Sequence, residues 1–171
     1  MKNKKKVLIP IIVIISLFLI YNIAWGINCY RYRKYEKLTG YDQQHHLCRA
    51  VKDGYTFAVF RPDYLSFTGN LSVSQNREYK SGQKENDAIS MIIWPCVTGG
   101  FEVGISIIHE DLSETEETHR SDVTSVDLEF DKKGNLLPEY AHLTKVYEAN
   151  KDKIDYIYSL AEKEWGITLP H

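Results

Sequence analysis

Few residues in this chain have the type and spacing that chemistry needs. His109 and Glu110 adjoin, and a histidine beside a carboxylate can act as base and acid when both reach one substrate atom. They open the run Glu110–Asp122, EDLSETEETHRSD, which holds six acids. Glu110, Asp111, Glu114, Glu116, Glu117 and His119 form the candidate interaction loop, because mobile loops on rigid sheets often carry recognition. The acids do not follow the alternate spacing around a glycine that a calcium loop requires, so the run reads first as a solvated hairpin loop.

The other chemical signals are thinner. His45 and His46 are adjacent, and neighbours on either a helix or a strand point in different directions, so they do not make a metal pair. Ser81 and Lys84 match S-x-x-K, but the S-D-N and K-T-G elements that such serine enzymes need are missing. Asn70-Leu71-Ser72 matches a glycosylation acceptor but falls in an expected strand. There is no G-x-S-x-G, H-E-x-x-H, Walker loop or dinucleotide glycine pattern. No catalytic, metal or cofactor site is therefore assigned, no cofactor is expected, and the expectation is a protein that is not an enzyme.

The chain has three cysteines, at positions 29, 48 and 96. Cys29 borders an apolar stretch, which leaves Cys48 and Cys96 for the folded part. In an oxidising compartment they are expected to form a disulfide worth roughly 4 kcal/mol on a chain-entropy argument. In a reducing one they would be small buried thiols.

The apolar stretch decides which compartment applies. Val7–Ile27 reads VLIPIIVIISLFLIYNIAWGI, with no charge and only Ser16 and Asn22 clearly polar. As a helix it would be about 30 Å long, the thickness of a hydrocarbon core. Lys2, Lys4, Lys5 and Lys6 precede it, while Arg31, Arg33, Lys34 and Lys37 follow it. Lysines before an apolar run resemble an export signal, and Tyr21, Trp25, Tyr30 and Tyr32 resemble an interfacial belt at the far end. The expected topology is a cytoplasmic N-terminus with the folded part outside. The apolar length favours a retained signal-anchor over cleavage after Gly26, which would release a soluble protein.

Charge divides along the same line. The first 38 residues carry a net +7 and the rest a net −9. A nucleic-acid surface would need a basic patch, so nucleic acid is excluded as a partner. An acidic body suits a cationic partner, or serves only to keep an envelope domain soluble.

After a short helical continuation ending at Gly40, the elements that must position these residues alternate. Tyr55–Phe60 is an expected strand. Pro62-Asp63 is an expected turn, followed by one long strand over Tyr64–Ser74 with a bulge or kink at Gly69. Ala88–Trp94, apolar on both faces, is the expected central strand, with Pro95–Gly100 as its turn and Phe101–Ile107 returning. Val126, Leu128 and Phe130 mark the last strand. Leu143, Val146, Tyr147, Ile154, Ile157, Leu160 and Ala161 recur at helical spacing from Glu139 to Trp165, with a possible break at Asn150–Asp152 and Gly166 as the stop. Tyr156, Tyr158 and Trp165 read as packing residues.

The expected fold is α+β. A transmembrane helix is followed by an antiparallel meander of about five strands, with a C-terminal helix on one face. The expected segments are a basic cytoplasmic tail (1–6), the signal-anchor helix (7–29), a juxtamembrane linker (30–52) and an extracytoplasmic domain (53–171). The expected protein is a single-pass protein of a bacterial inner membrane, its domain periplasmic or extracellular. Its partners would be the lipid bilayer and another envelope protein, bound in the manner of an inhibitor or immunity protein. The alternative is a small extracytoplasmic hydrolase using His109 and Glu110.

Overall fold

A computed structural model describes residues 2–65, 67–77, 87–111 and 122–170. The chain begins with one uninterrupted helix, α1 (Lys2–Thr39). At about 1.5 Å per residue it is about 57 Å long, and it ends where Gly40 takes a left-handed φ of 77°. Seven strands follow: β1 (Tyr41–Asp42), β2 (Leu47–Lys52), β3 (Tyr55–Phe60), β4 (Asn70–Gln75), β5 (Ala88–Pro95), β6 (Phe101–Asp111) and β7 (Asp122–Phe130). They form a single sheet in sequence order with every pair antiparallel. A 3-10 turn (Pro138–Leu143), α2 (Thr144–Ala149) and α3 (Lys151–Trp165) complete the chain.

One face of the sheet is apolar because one parity of each strand is. Phe57 pairs with Val73, Val73 with Met91, Met91 with Ile105 and Ile105 with Leu128, a continuous row across β3 to β7. These side chains are buried in a core with Ile154, Ile157, Tyr158, Ala161 and Trp165 of α3. Tyr32 and Tyr35, from the C-terminal part of α1, join the same core. The break foreseen at Asn150 is present, separating α2 from α3.

Several expectations are corrected. The sheet has seven strands rather than about five, because residues 41–52, read as linker, supply β1 and β2. The lone alternation in YDQQHHLCRA gave little strand signal. Here Asp42 Oδ1 accepts from the backbone N–H of Gln44 and His45, which turns β1 back into β2.

The long strand expected over Tyr64–Ser74 is only Asn70–Gln75. Its first half is a loop closed on itself by Asp63 N–H to Thr68 O (3.0 Å) and Phe67 N–H to Asp63 O (3.0 Å). Gly69 precedes the strand and marks a close approach of backbone instead of a bulge or kink within it. A Cβ built there would lie 2.6 Å from Phe60 O and 2.7 Å from Pro62 N, both backbone. Gly69→Ala is therefore expected to destabilise the domain by about 1–3 kcal/mol, read as a lowered melting midpoint, because backbone cannot move aside as a side chain can.

The disulfide is also overturned. Cys29, Cys48 and Cys96 are all free thiols. Cys48 lies on β2 and Cys96 directly after β5, with β3 and β4 between them. Three strand spacings of about 4.8 Å separate the backbones by roughly 14 Å, twice the Cα separation a disulfide spans. Burial pushes the thiols of Cys48 and Cys96 up from their ordinary range. Reducing agent should leave the melting temperature unchanged, and alkylation of both thiols should need no reductant and accelerate as pH rises.

Candidate functional site

The expected interaction loop is only partly within the described residues. Glu110 is buried, 4% exposed, near the end of β6. Its Oε2 lies 3.1 Å from Arg77 Nη1 just after β4. Asp111 closes β6 opposite Asp122. Glu114, Glu116, Glu117 and His119 lie outside the described residues, as do Ser81 and Lys84.

Strand alternation sends His109 and Glu110 to opposite sides of the sheet. His109 Nδ1 lies 2.6 Å from Asp87 Oδ1, and Lys153 of α3 lies 3.7 Å from the other oxygen of the same carboxylate. The two residues thus face different partners and do not converge on one point. His45 is held by Asp42 at 2.8 Å, and this bond, above all else, lowers the Asp42 carboxyl from its ordinary value. His46 sits at a positive φ of 54° in the same turn. Among the described residues no cluster of three metal-ligating side chains occurs.

The most elaborated region is one that the sequence reading did not single out, the junction between α1 and the β3–β4 loop, residues 61–69. The helix presents polar groups at Tyr21, Asn22, Trp25 and Asn28, and the loop answers each of them. Tyr21 donates to Tyr64 O, Asn22 Oδ1 accepts from the Tyr64 hydroxyl (3.1 Å), and Trp25 Nε1 donates to Pro62 O (3.3 Å). Asn28 Nδ2 donates to Phe67 O (2.8 Å). Around these bonds the rings pack edge to face, Tyr21 against Tyr64 and Phe67 at 5.1 and 4.8 Å, and Trp25 against Tyr64 at 5.2 Å. Phe67 carries a φ of 58°, costly for an aromatic residue and tolerated where its surroundings fix it.

Farther along the helix the grip continues. Arg61 makes a two-pronged ion pair with Glu36, and Arg31 Nη2 donates to Cys96 O in the β5–β6 turn at 2.9 Å. Tyr32, buried next to Gly69, holds its phenol proton up to about 12, chiefly through desolvation. The unfolded value is near 10, so the folded state binds the extra proton between those limits. Stability from this group is complete below pH 10 and is lost as pH rises through about 12. The melting temperature is expected to fall over that window, and Tyr32→Phe should flatten the fall.

The second feature is the face of the sheet turned away from the core. Tyr140 of the 3-10 turn reaches its β7 edge, where it is hydrogen-bonded with Glu129. The face carries Ser72, Ser90, Ser106, Glu102, Asp127 and Glu129 at alternating positions, with Ser106 Oγ donating to Asp127 Oδ1 at 2.6 Å. Trp94 lies over Gly104 on this face, its ring 2.9 Å from where a Cβ would stand. A 490 Å³ cleft lined by Asn28, Tyr32, Trp94, Glu102 and Glu129 runs from α1 onto this face. Aromatic rings beside carboxylates suit a cationic group. No protein-family model matches the chain, and no curated protein and no solved structure is significantly similar to it.

Proposed function

We propose that the chain is a single-pass membrane protein. Its apolar helix crosses the bilayer, and its sheet domain, held outside the cytoplasm, binds another envelope protein without catalysing a reaction. The observation that carries this reading is the two-part character of α1. From Leu8 to Ile20 every side chain is exposed, and all but Pro10 and Ser16 are large and apolar, whereas Tyr32 and Tyr35 of the same helix belong to the domain core. Each large apolar side chain left in water forgoes about 1.5–3 kcal/mol, and a bilayer recovers it. Among the described residues this is the one helix long and apolar enough to cross a membrane.

The lysines at the N-terminus and the aromatic residues at the other end of the apolar run support the outward orientation of the domain. The open face with Glu102, Asp127 and Glu129 is the surface we assign to the partner, and its charge suits a basic one. Cross-linking in intact cells followed by affinity isolation tests the binding role. The natural chain should recover one recurring protein, and a Glu102→Lys, Asp127→Lys, Glu129→Lys variant should lose it. Repeated isolation with no recurring protein would count against the reading.

A further inference from the structure

We propose that the β3–β4 loop is a membrane-seating element, entering the lipid headgroup region beside α1 with the Leu65 side chain directed into lipid. This inference rests on the reading of α1 as a bilayer-spanning helix. It goes beyond that reading by fixing how the domain sits on the membrane.

The first ground is length. From Leu8 to Ile20 the helix is apolar and free of the domain, a stretch of about 20 Å against a hydrocarbon core of about 30 Å. Completing the span takes roughly six or seven more residues, and these are the positions, 21 to 27, along which the loop lies. The loop is therefore at membrane depth.

The second ground is hydrogen bonding. Without the loop, the Tyr21 hydroxyl, the Asn22 Oδ1 and the Trp25 indole N–H would face lipid unsatisfied, each costly in an apolar medium, whereas Asn22 Nδ2 donates to Phe18 O of its own helix at 2.7 Å. Tyr64 and Pro62 satisfy all three. Asp63 points its Oδ1 back to the Leu65 backbone N–H at 2.7 Å, so the loop's own carboxylate is engaged within the loop.

The third ground is the outer surface of the loop. Leu65 is 84% exposed, and unlike Val97, which is as exposed in the β5–β6 turn, it adjoins the aromatic residues that contact α1. It stands beside a ring cluster of Tyr21, Trp25, Tyr64 and Phe67, the residue types that gather where hydrocarbon meets headgroups. Over the stretch of α1 along which the loop lies, Ile20, Ile23 and Ile27 are each more than 60% exposed, so the occupant the loop fits is the same bilayer.

The test uses the full chain, cysteines unchanged, in vesicles of phosphatidylethanolamine and phosphatidylglycerol. The photoreactive residue benzoylphenylalanine replaces Leu65, Ile14 or Tyr156 in separate preparations. Leu65 and Tyr156 are exposed, and Tyr156 packs on Tyr55 at the opposite end of β3, so neither replacement threatens the fold. After irradiation, mass spectrometry should find phospholipid adducts at positions 14 and 65 and none at 156. An adduct at 14 with none at 65, or a protein–protein adduct at 65, overturns the seating element and leaves the anchor intact. No lipid adduct at either position overturns both.

Discussion

Ile14→Arg combined with Leu17→Arg is expected to move the protein from the membrane pellet to the soluble fraction. Each arginine at the centre of a spanning helix costs about 2.5–3.5 kcal/mol of insertion free energy. Two together cost about 5–7 kcal/mol, on the order of ten-thousandfold in partitioning. Both side chains are more than 60% exposed, so neither helps hold the sheet. The domain of the double variant should keep the melting temperature of the natural chain. That pairing of outcomes separates an anchor from a core helix, whose charging would unfold the domain.

Trp165→Ala carries the largest effect expected within the domain, about 3–5 kcal/mol. The ring is 3% exposed in the last turn of α3 and meets Phe57 of β3 edge to face at 5.9 Å. Truncation leaves a cavity at the point where helix and sheet join. Against a total stability of about 5–15 kcal/mol for a domain, that is a large share. Trp165→Phe keeps the edge-to-face contact and should cost about 1–2 kcal/mol. The indole Nε1 has no acceptor among the described residues, so no hydrogen bond is lost. Urea denaturation of the two variants beside the natural chain reads the difference. Equal midpoints for all three would mean that α3 does not pack on the sheet.

What the sequence made legible was whatever a single periodicity governs. The apolar run, the stop at Gly40, the β5–β6 hairpin and the helical stretch closed by Gly166 all follow from local pattern. Burial on one face enforces that pattern residue by residue. The misreadings arose where a second element imposed the pattern. Leu65 and Phe67 alternate with polar residues as a strand would, yet Phe67 packs against Tyr21 of α1 and Leu65 is left 84% exposed. Residues 41–52 look like a linker because the edge strand β1 and its neighbour β2 have little apolar surface to bury.

The candidate site was less legible still. Asn22 stands out as polar within the apolar run and Trp25 as part of an interfacial belt, but nothing near them in sequence announces Pro62 or Tyr64. A clue was present in the spacing, since a polar asparagine inside an apolar helix needs a partner from somewhere. The disulfide expectation failed for a related reason. Compartment chemistry can license a bond between Cys48 and Cys96, but only strand order reveals the roughly 14 Å between them.

The central claim is that the sheet domain stands outside the cytoplasm on the end of a spanning helix. It is tested most directly by a pair of C-terminal reporter fusions, one active only beyond the membrane and one active only in the cytosol. The account predicts activity from the first and silence from the second. Activity from the cytosolic reporter alone would contradict it, and the envelope-binding role would fall with it.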